Sequence, residues 1–170
     1  MNTQNRYRFV AAIYPNSRGI AFVLFEGLSA KDWMVTPRRG PSKLRHVLRR
    51  IGVQFERYPL IDALVLQDMS PEGTRRSRRI RELNDAIAEY AETYGIPVFT
   101  YSREQVQGCF QQFGLVTKYG IAETIAKHIP ELAYQLPRVR KLWMSEDSRM
   151  GVFDAAALAL TFLYLSGQLS

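Results

Sequence analysis

A chain of 170 residues is long enough to bury one core, and residues 1–170 are expected to form a single domain. Its 46% apolar share with only 8 Pro and 11 Gly excludes the disordered and fibrous classes, and its one cysteine excludes an intramolecular disulfide and a Cys-rich zinc site. The net charge of +7 is clustered: Arg38, Arg39, Lys43, Arg45, Arg49 and Arg50 form one block, Arg75, Arg76, Arg78, Arg79 and Arg81 a second, Arg138, Arg140 and Lys141 a third. Mixed signs would serve solubility better than clustered arginine, and guanidinium forks suit phosphate oxygens, so nucleic acid is the expected partner. The competing reading of these blocks is a solvated face with intramolecular pairing. No apolar run reaches the ~18 residues of a membrane span. The first residues lack the basic-then-apolar layout of a secretory signal, so the expected compartment is the cytoplasm and no membrane partner is expected.

The first half reads as a β-meander. Residues 9–13 and 20–25 are continuous apolar strands joined by turn residues, and residues 33–35 are a third strand. Prolines 37 and 41 break the pattern, after which Ser42 can cap a helix with Leu44, Val47, Leu48, Ile51 and Phe55 on its apolar face. That stripe leaves Lys43, Arg45, Arg49 and Arg50 outside the core. Residues 63–66 read as a central strand buried on both faces. A long helix follows the 70–74 loop, with Ile80, Leu83, Ile87, Ala91 and Tyr94 inward and Gly95 at its end. Arginines in its first turns oppose the helix macrodipole, so they are not there to help the helix. Residues 96–101 are a fifth strand, and helical segments are expected at about 103–113, 119–129 and 149–166. The fold class is therefore α/β: a five-stranded mixed sheet, a three-strand meander followed by alternating β/α, with helices on both faces.

The closing segment sets one acid, Asp154, among residues that otherwise read as buried. A carboxylate in such a place implies a metal, a partner or a changed pKa. If the helix begins near Gly151, capping by the first-turn dipole explains it equally. Asp68 directly follows the fourth strand, Glu26 ends the second, and Asp147 lies two helical turns before Asp154, on its face if the helix begins that early. Lys118 opens a loop-to-helix turn. His46, beside Arg45 and Arg49, and His128, at a helix end, are too isolated for a metal pair. Cys109, Trp33 and Trp143 fall at core-compatible spacings and are read as packing residues.

Four motifs in order carry a family likeness: Ile13-Tyr14-Pro15-Asn16-Ser17-Arg18, the fifth strand leading into Gln105-Val106, the turn from Gly114 to Lys118, and the helix from Asp154 to Thr161. Over residues 9–165 the chain resembles the RuvC-like Holliday-junction resolvases of the ribonuclease H-like superfamily. The resemblance implies a homodimer and a site in which four carboxylates hold two divalent ions that activate water and clamp a phosphodiester. Carried over by position, those acids fall on Tyr14, Gln67, Gly151 and Asp154, so only Asp154 remains a carboxylate; Lys118 matches a family lysine near the scissile phosphate. The expected function is binding of branched DNA through the arginine-rich helices, with no cofactor and without two-metal cleavage. One alternative is an active Mg²⁺- or Mn²⁺-dependent endonuclease that uses Asp154, Asp68 and Lys118 in catalysis and Asp154, Asp68 and Asp147 as metal ligands. Another is a protein-interaction subunit on the same fold.

Overall fold

The computed structural model describes residues 6–17, 19–37, 43–70 and 77–167, the side chains of Pro37 and Lys43 aside. Arg38, Arg39, Arg75, Arg76 and the Lys43 side chain, all expected to bind nucleic acid, lie outside the described residues. Strands β1 (Phe9–Asn16), β2 (Gly19–Glu26) and β3 (Ser29–Pro37) form the antiparallel meander. Strands β4 (Ala63–Gln67) and β5 (Val98–Tyr101) add to it in parallel, giving the order β3-β2-β1-β4-β5. The mixed α/β sheet expected from the sequence is the one observed. β3 runs well beyond residues 33–35, because an edge strand needs an apolar side chain only on its covered face and so carries Lys31 and Asp32 without disruption.

Side-chain alternation along β1 divides the core in two. Ala11 and Ile13 face one layer, where they meet α1 (Lys43–Arg57) and α2 (Arg78–Thr93) through Val47, Ile51, Leu83 and Ile87. Val10, Ala12 and Tyr14 face the other layer, built from α3 (Arg103–Phe110), α4 (Lys118–His128) and α5 (Met150–Leu165). α5 is apolar almost all round, as befits a helix buried against the sheet on one side and α4 on the other. Its small residues let it lie close: a Cβ at Gly151 would stand 3.0 Å from the Ala21 Cβ.

The helix boundaries follow from capping chemistry. Ser77 accepts from Ile80 N at the start of α2, Ser102 and Gln105 form a reciprocal capping box on α3, and Thr117 accepts from Gly120 N on α4. Gly95, at φ +70, takes the left-handed conformation just past α2, where the sequence pattern puts the stop. Short 3₁₀ turns occupy Gln111–Phe113, where α-helix is expected, and Pro130–Gln135, where the sequence pattern predicts no element.

The parallel strands β1, β4 and β5 end at the same edge of the sheet, and β3 ends there too, since Pro37 pairs with Gly19 and Gly19 with Asn16. α2 and α3 therefore begin at that edge. α1 does likewise: Gln54 reaches Met34 and Arg57 reaches Asp32, so the helix runs antiparallel to β3 and its first turns lie toward β3's end. The carboxyl end of the strands is where an α/β sheet offers side chains from several elements to one site.

Candidate functional site

Several elements meet at that edge. Alternation on β1 turns Tyr14 toward α5, where it is buried, and Gln67 is the last residue of β4. Asp154 projects from the second turn of α5. Together with Lys118 at the start of α4 and with Arg103 and Gln107 of α3, they line a cleft of about 160 Å³. Tyr14, Gln67 and Asp154, far apart in sequence, thus share one wall-to-wall space.

Lys118, one of the residues lining this cleft, meets two acids. Its Nζ lies 2.6 Å from Glu146 Oε1 and 3.1 Å from Asp154 Oδ2, and 5.8 Å from the centroid of the Tyr14 ring. Two carboxylates and a π face are a complete electrostatic environment for one ammonium. The family resemblance puts Lys118 beside a phosphate and leaves out Glu146, which sits in irregular chain with no periodic signal to mark it. Arg103 and Gln107 are equally hidden in the sequence, because the apolar side of their helix is the only side that periodicity reports.

The capping account of Asp154 does not hold. α5 begins at Met150, which makes Asp154 its fifth residue, and the first-turn N–H groups of Met150, Gly151 and Val152 already donate to the carbonyls of Asp147, Ser148 and Arg149. Its ion pair is with Lys118 instead.

The rearranged carboxylate set is not assembled. β4 stops at Gln67, and Asp68 turns its Oδ1 to Ser70, accepting from the backbone N at 3.0 Å and from Oγ at 2.6 Å. Asp147 precedes α5 rather than belonging to it, so helical spacing does not align it with Asp154. Its carboxylate is taken by Arg149, with Nε at 3.0 Å and Nη2 at 2.7 Å. Glu26 pairs with Arg8 at the opposite end of the sheet, next to Phe9 in register. Among the described residues no group of three or more His, Cys, Asp or Glu side chains is placed to hold a metal ion.

The four family positions do not fit a pair of divalent cations. Two such ions ~4 Å apart need several carboxylates to offset their repulsion. Here the donors are a phenol, an amide and one carboxylate, and the fourth position is Gly151, packed against Ala21. The seated ammonium adds to the mismatch: at 4 Å and an effective dielectric near 20, each added unit of positive charge is repelled by about 4 kcal/mol.

The arginine-bearing helices lie across the sheet from the cleft. α1 and α2 belong to the other layer, but their first turns converge on the same edge. Asn84 of α2 donates to the Gln67 carbonyl at 2.9 Å, which ties that helix to the cleft wall. Arg45, Arg49, Arg50, Arg79 and Arg81 are exposed, and among the described residues none makes an ion pair; Arg78 is exposed and pairs with Glu82 at 2.8 Å. His46 is exposed between them, and His128 packs its ring against Phe113. Cys109 is partly buried against the core, and burial raises its thiol pKa.

No family model and no curated protein sequence matches the chain. Solved structures do. Thermus thermophilus RuvC in complex with a Holliday-junction substrate superimposes with a TM-score of 0.66 at 16% identity, covering 95% of this chain and 96% of that one. The yeast mitochondrial Holliday-junction resolvase Ydc2 gives 0.62 at 13% identity over 96% of this chain and 80% of its own. The fowlpox virus Holliday-junction resolvase gives 0.54 at 10% identity over 93% and 99%. At these identities the likeness establishes the fold: the chain has the RuvC-like, ribonuclease H-like architecture.

Proposed function

We propose that this protein binds branched DNA through guanidinium groups gathered at one edge of a RuvC-like fold, and that it does so without two-metal cleavage. The observation that carries the proposal is a division of charge. At the cleft, the Asp154 carboxylate is paired with the protein's own cation, Lys118, whereas Arg45, Arg49, Arg50, Arg79 and Arg81 of α1 and α2 reach solvent and, among the described residues, meet no acid. The first arrangement leaves nothing to hold a metal pair, and the second leaves a surface matched to phosphate oxygens. The solved structures of like fold are Holliday-junction resolvases, one of them with the substrate bound, and that supports a branched rather than a linear ligand. A four-way junction presents equivalent arms to two copies of a protein, so a two-fold pair of chains is the assembly proposed.

The test is a labelled four-way junction mixed with the protein in Mg²⁺ and, separately, in Mn²⁺. Retention of the junction on a native gel with intact strands on a denaturing gel is the expected pair of results. Metal-dependent nicks that vanish in Asp154→Asn would instead support the active endonuclease, and no retention of any DNA would end the proposal.

A further inference from the structure

Between the Pro130–Gln135 turn and α5 the chain crosses residues 136–149 without a helix or strand, and that crossing is pinned at both ends. The Tyr119 hydroxyl donates to the Pro137 carbonyl at 2.9 Å, and Glu146 is held by Lys118 in the cleft at 2.6 Å. Between the pins, Met144 N donates to the Lys141 carbonyl at 2.9 Å and closes a tight turn with Leu142 and Trp143 at its tip. Leu142 is 101% exposed and Trp143 80% exposed. The expectation that Trp143 packs in the core is overturned: it points away from the core on an anchored support. Nothing in local turn chemistry asks for a large apolar pair at such a tip, where Gly, Asn, Asp or Ser serve better.

The turn is also basic. Arg138, Arg140 and Lys141 are exposed, no acid occurs from residue 137 to 145, and the Lys141 ammonium lies 5.2 Å from the Trp143 ring centroid. An aromatic face flanked by cations matches a nucleotide, whose base stacks while its phosphate is neutralised. A stacked duplex offers no free base face, whereas a branch point does, and apolar side chains such as Leu can wedge between the bases there.

We propose that Trp143, backed by Leu142, stacks on a base face exposed by the break in stacking at the branch point of the DNA this protein binds, a role that rests on the DNA-binding reading above. The anchor at Glu146 places this turn next to the cleft and at the same sheet edge as the arginines of α1 and α2, so one branched ligand can meet all of them.

The experiment compares equilibrium binding of a four-way junction and of a continuous duplex of equal length, using the full chain, Trp143→Ala and Trp143→Phe. Trp143→Ala is expected to weaken junction binding about tenfold while leaving duplex binding unchanged, and Trp143→Phe to recover most of the loss. Equal weakening on both DNAs, or no change on either, overturns the stacking role while leaving DNA binding in place. If the unaltered protein binds neither DNA, the function proposed above fails and the stacking role goes with it. Vesicles containing phosphatidylserine serve as a further probe: binding to them that is lost in Trp143→Ala, with junction affinity unchanged, would assign the turn to a membrane surface instead.

Discussion

Lys118 has two roles open to it, and the distances separate them. A lysine kept for phosphate would present its ammonium to solvent, but this one sits between Glu146 and Asp154, with about a third of its side chain exposed. Removing it leaves two carboxylates facing each other across the cleft, one of them only 15% exposed. Lys118→Ala is expected to destabilise the fold by about 1–2 kcal/mol, an amount between that of a surface pair and a buried one. Urea unfolding measures it, and the added variant Asp154→Asn should recover part of the loss, because it removes the charge that Lys118 answers. Full additivity of the two substitutions would mean that the pair contributes nothing. This coupling is not legible in the sequence. Asp154 stands out there because an acid among apolar residues is anomalous, but Lys118 lies 36 residues away at a helix start, and the second acid on that lysine, Glu146, lies in irregular chain that carries no period.

At the scale of elements, the closing helix leaves no room for a carboxylate at Gly151, one of the positions to which the resemblance assigns an acid. Gly151 is where α5 approaches β2, and a Cβ there already presses on Ala21 at 3.0 Å, with Asn16 Nδ2 at 3.6 Å beyond. Gly151→Asp must move helix or strand as well as bury a carboxylate, and is expected to cost about 1–3 kcal/mol. Ala21→Gly in the same chain opens the contact, so the pair of substitutions should cost less than the sum of the two singles in urea unfolding; a strictly additive pair would show that crowding at Ala21 is not the reason. The elements themselves are largely readable from the residues. Unbroken apolar runs mark β1, β2 and β4, because strands buried on both faces leave no room for polar residues. Gly95 marks the end of α2 through a backbone angle that glycine favours, whereas the caps at Ser77 and Thr117 are not singled out by the sequence pattern. What periodicity cannot show is the irregular crossing before α5. Trp143 is spaced like a packing residue, and spacing carries no meaning where no helix or strand exists to define a face.

Across the whole molecule, the sheet separates two electrostatic regions that meet at one edge. The cleft is close to self-neutralised, with Lys118 and Arg103 against Asp154 and Glu146, while α1 and α2 carry their arginines on the other side. The sequence reveals that arginine is clustered, but not that the clusters lie behind the cleft; that follows from strand order and crossover, which divide the helices between opposite faces. DNA bound by the α1 arginines should release counterions as it binds. Replacing Arg45, Arg49 and Arg50 together by Ala is expected to flatten the dependence of log affinity on log salt by about 2–3, near 0.9 for each phosphate no longer neutralised. A slope unchanged by the triple substitution would remove α1 from the interface.

If Lys118 occupies the cleft and no metal pair gathers there, a calorimetric titration of Mn²⁺ into the protein bound to a four-way junction will show no saturating uptake at the cleft, and Asp154→Asn will give the same trace. Uptake of two ions per chain, abolished by Asp154→Asn, would contradict it.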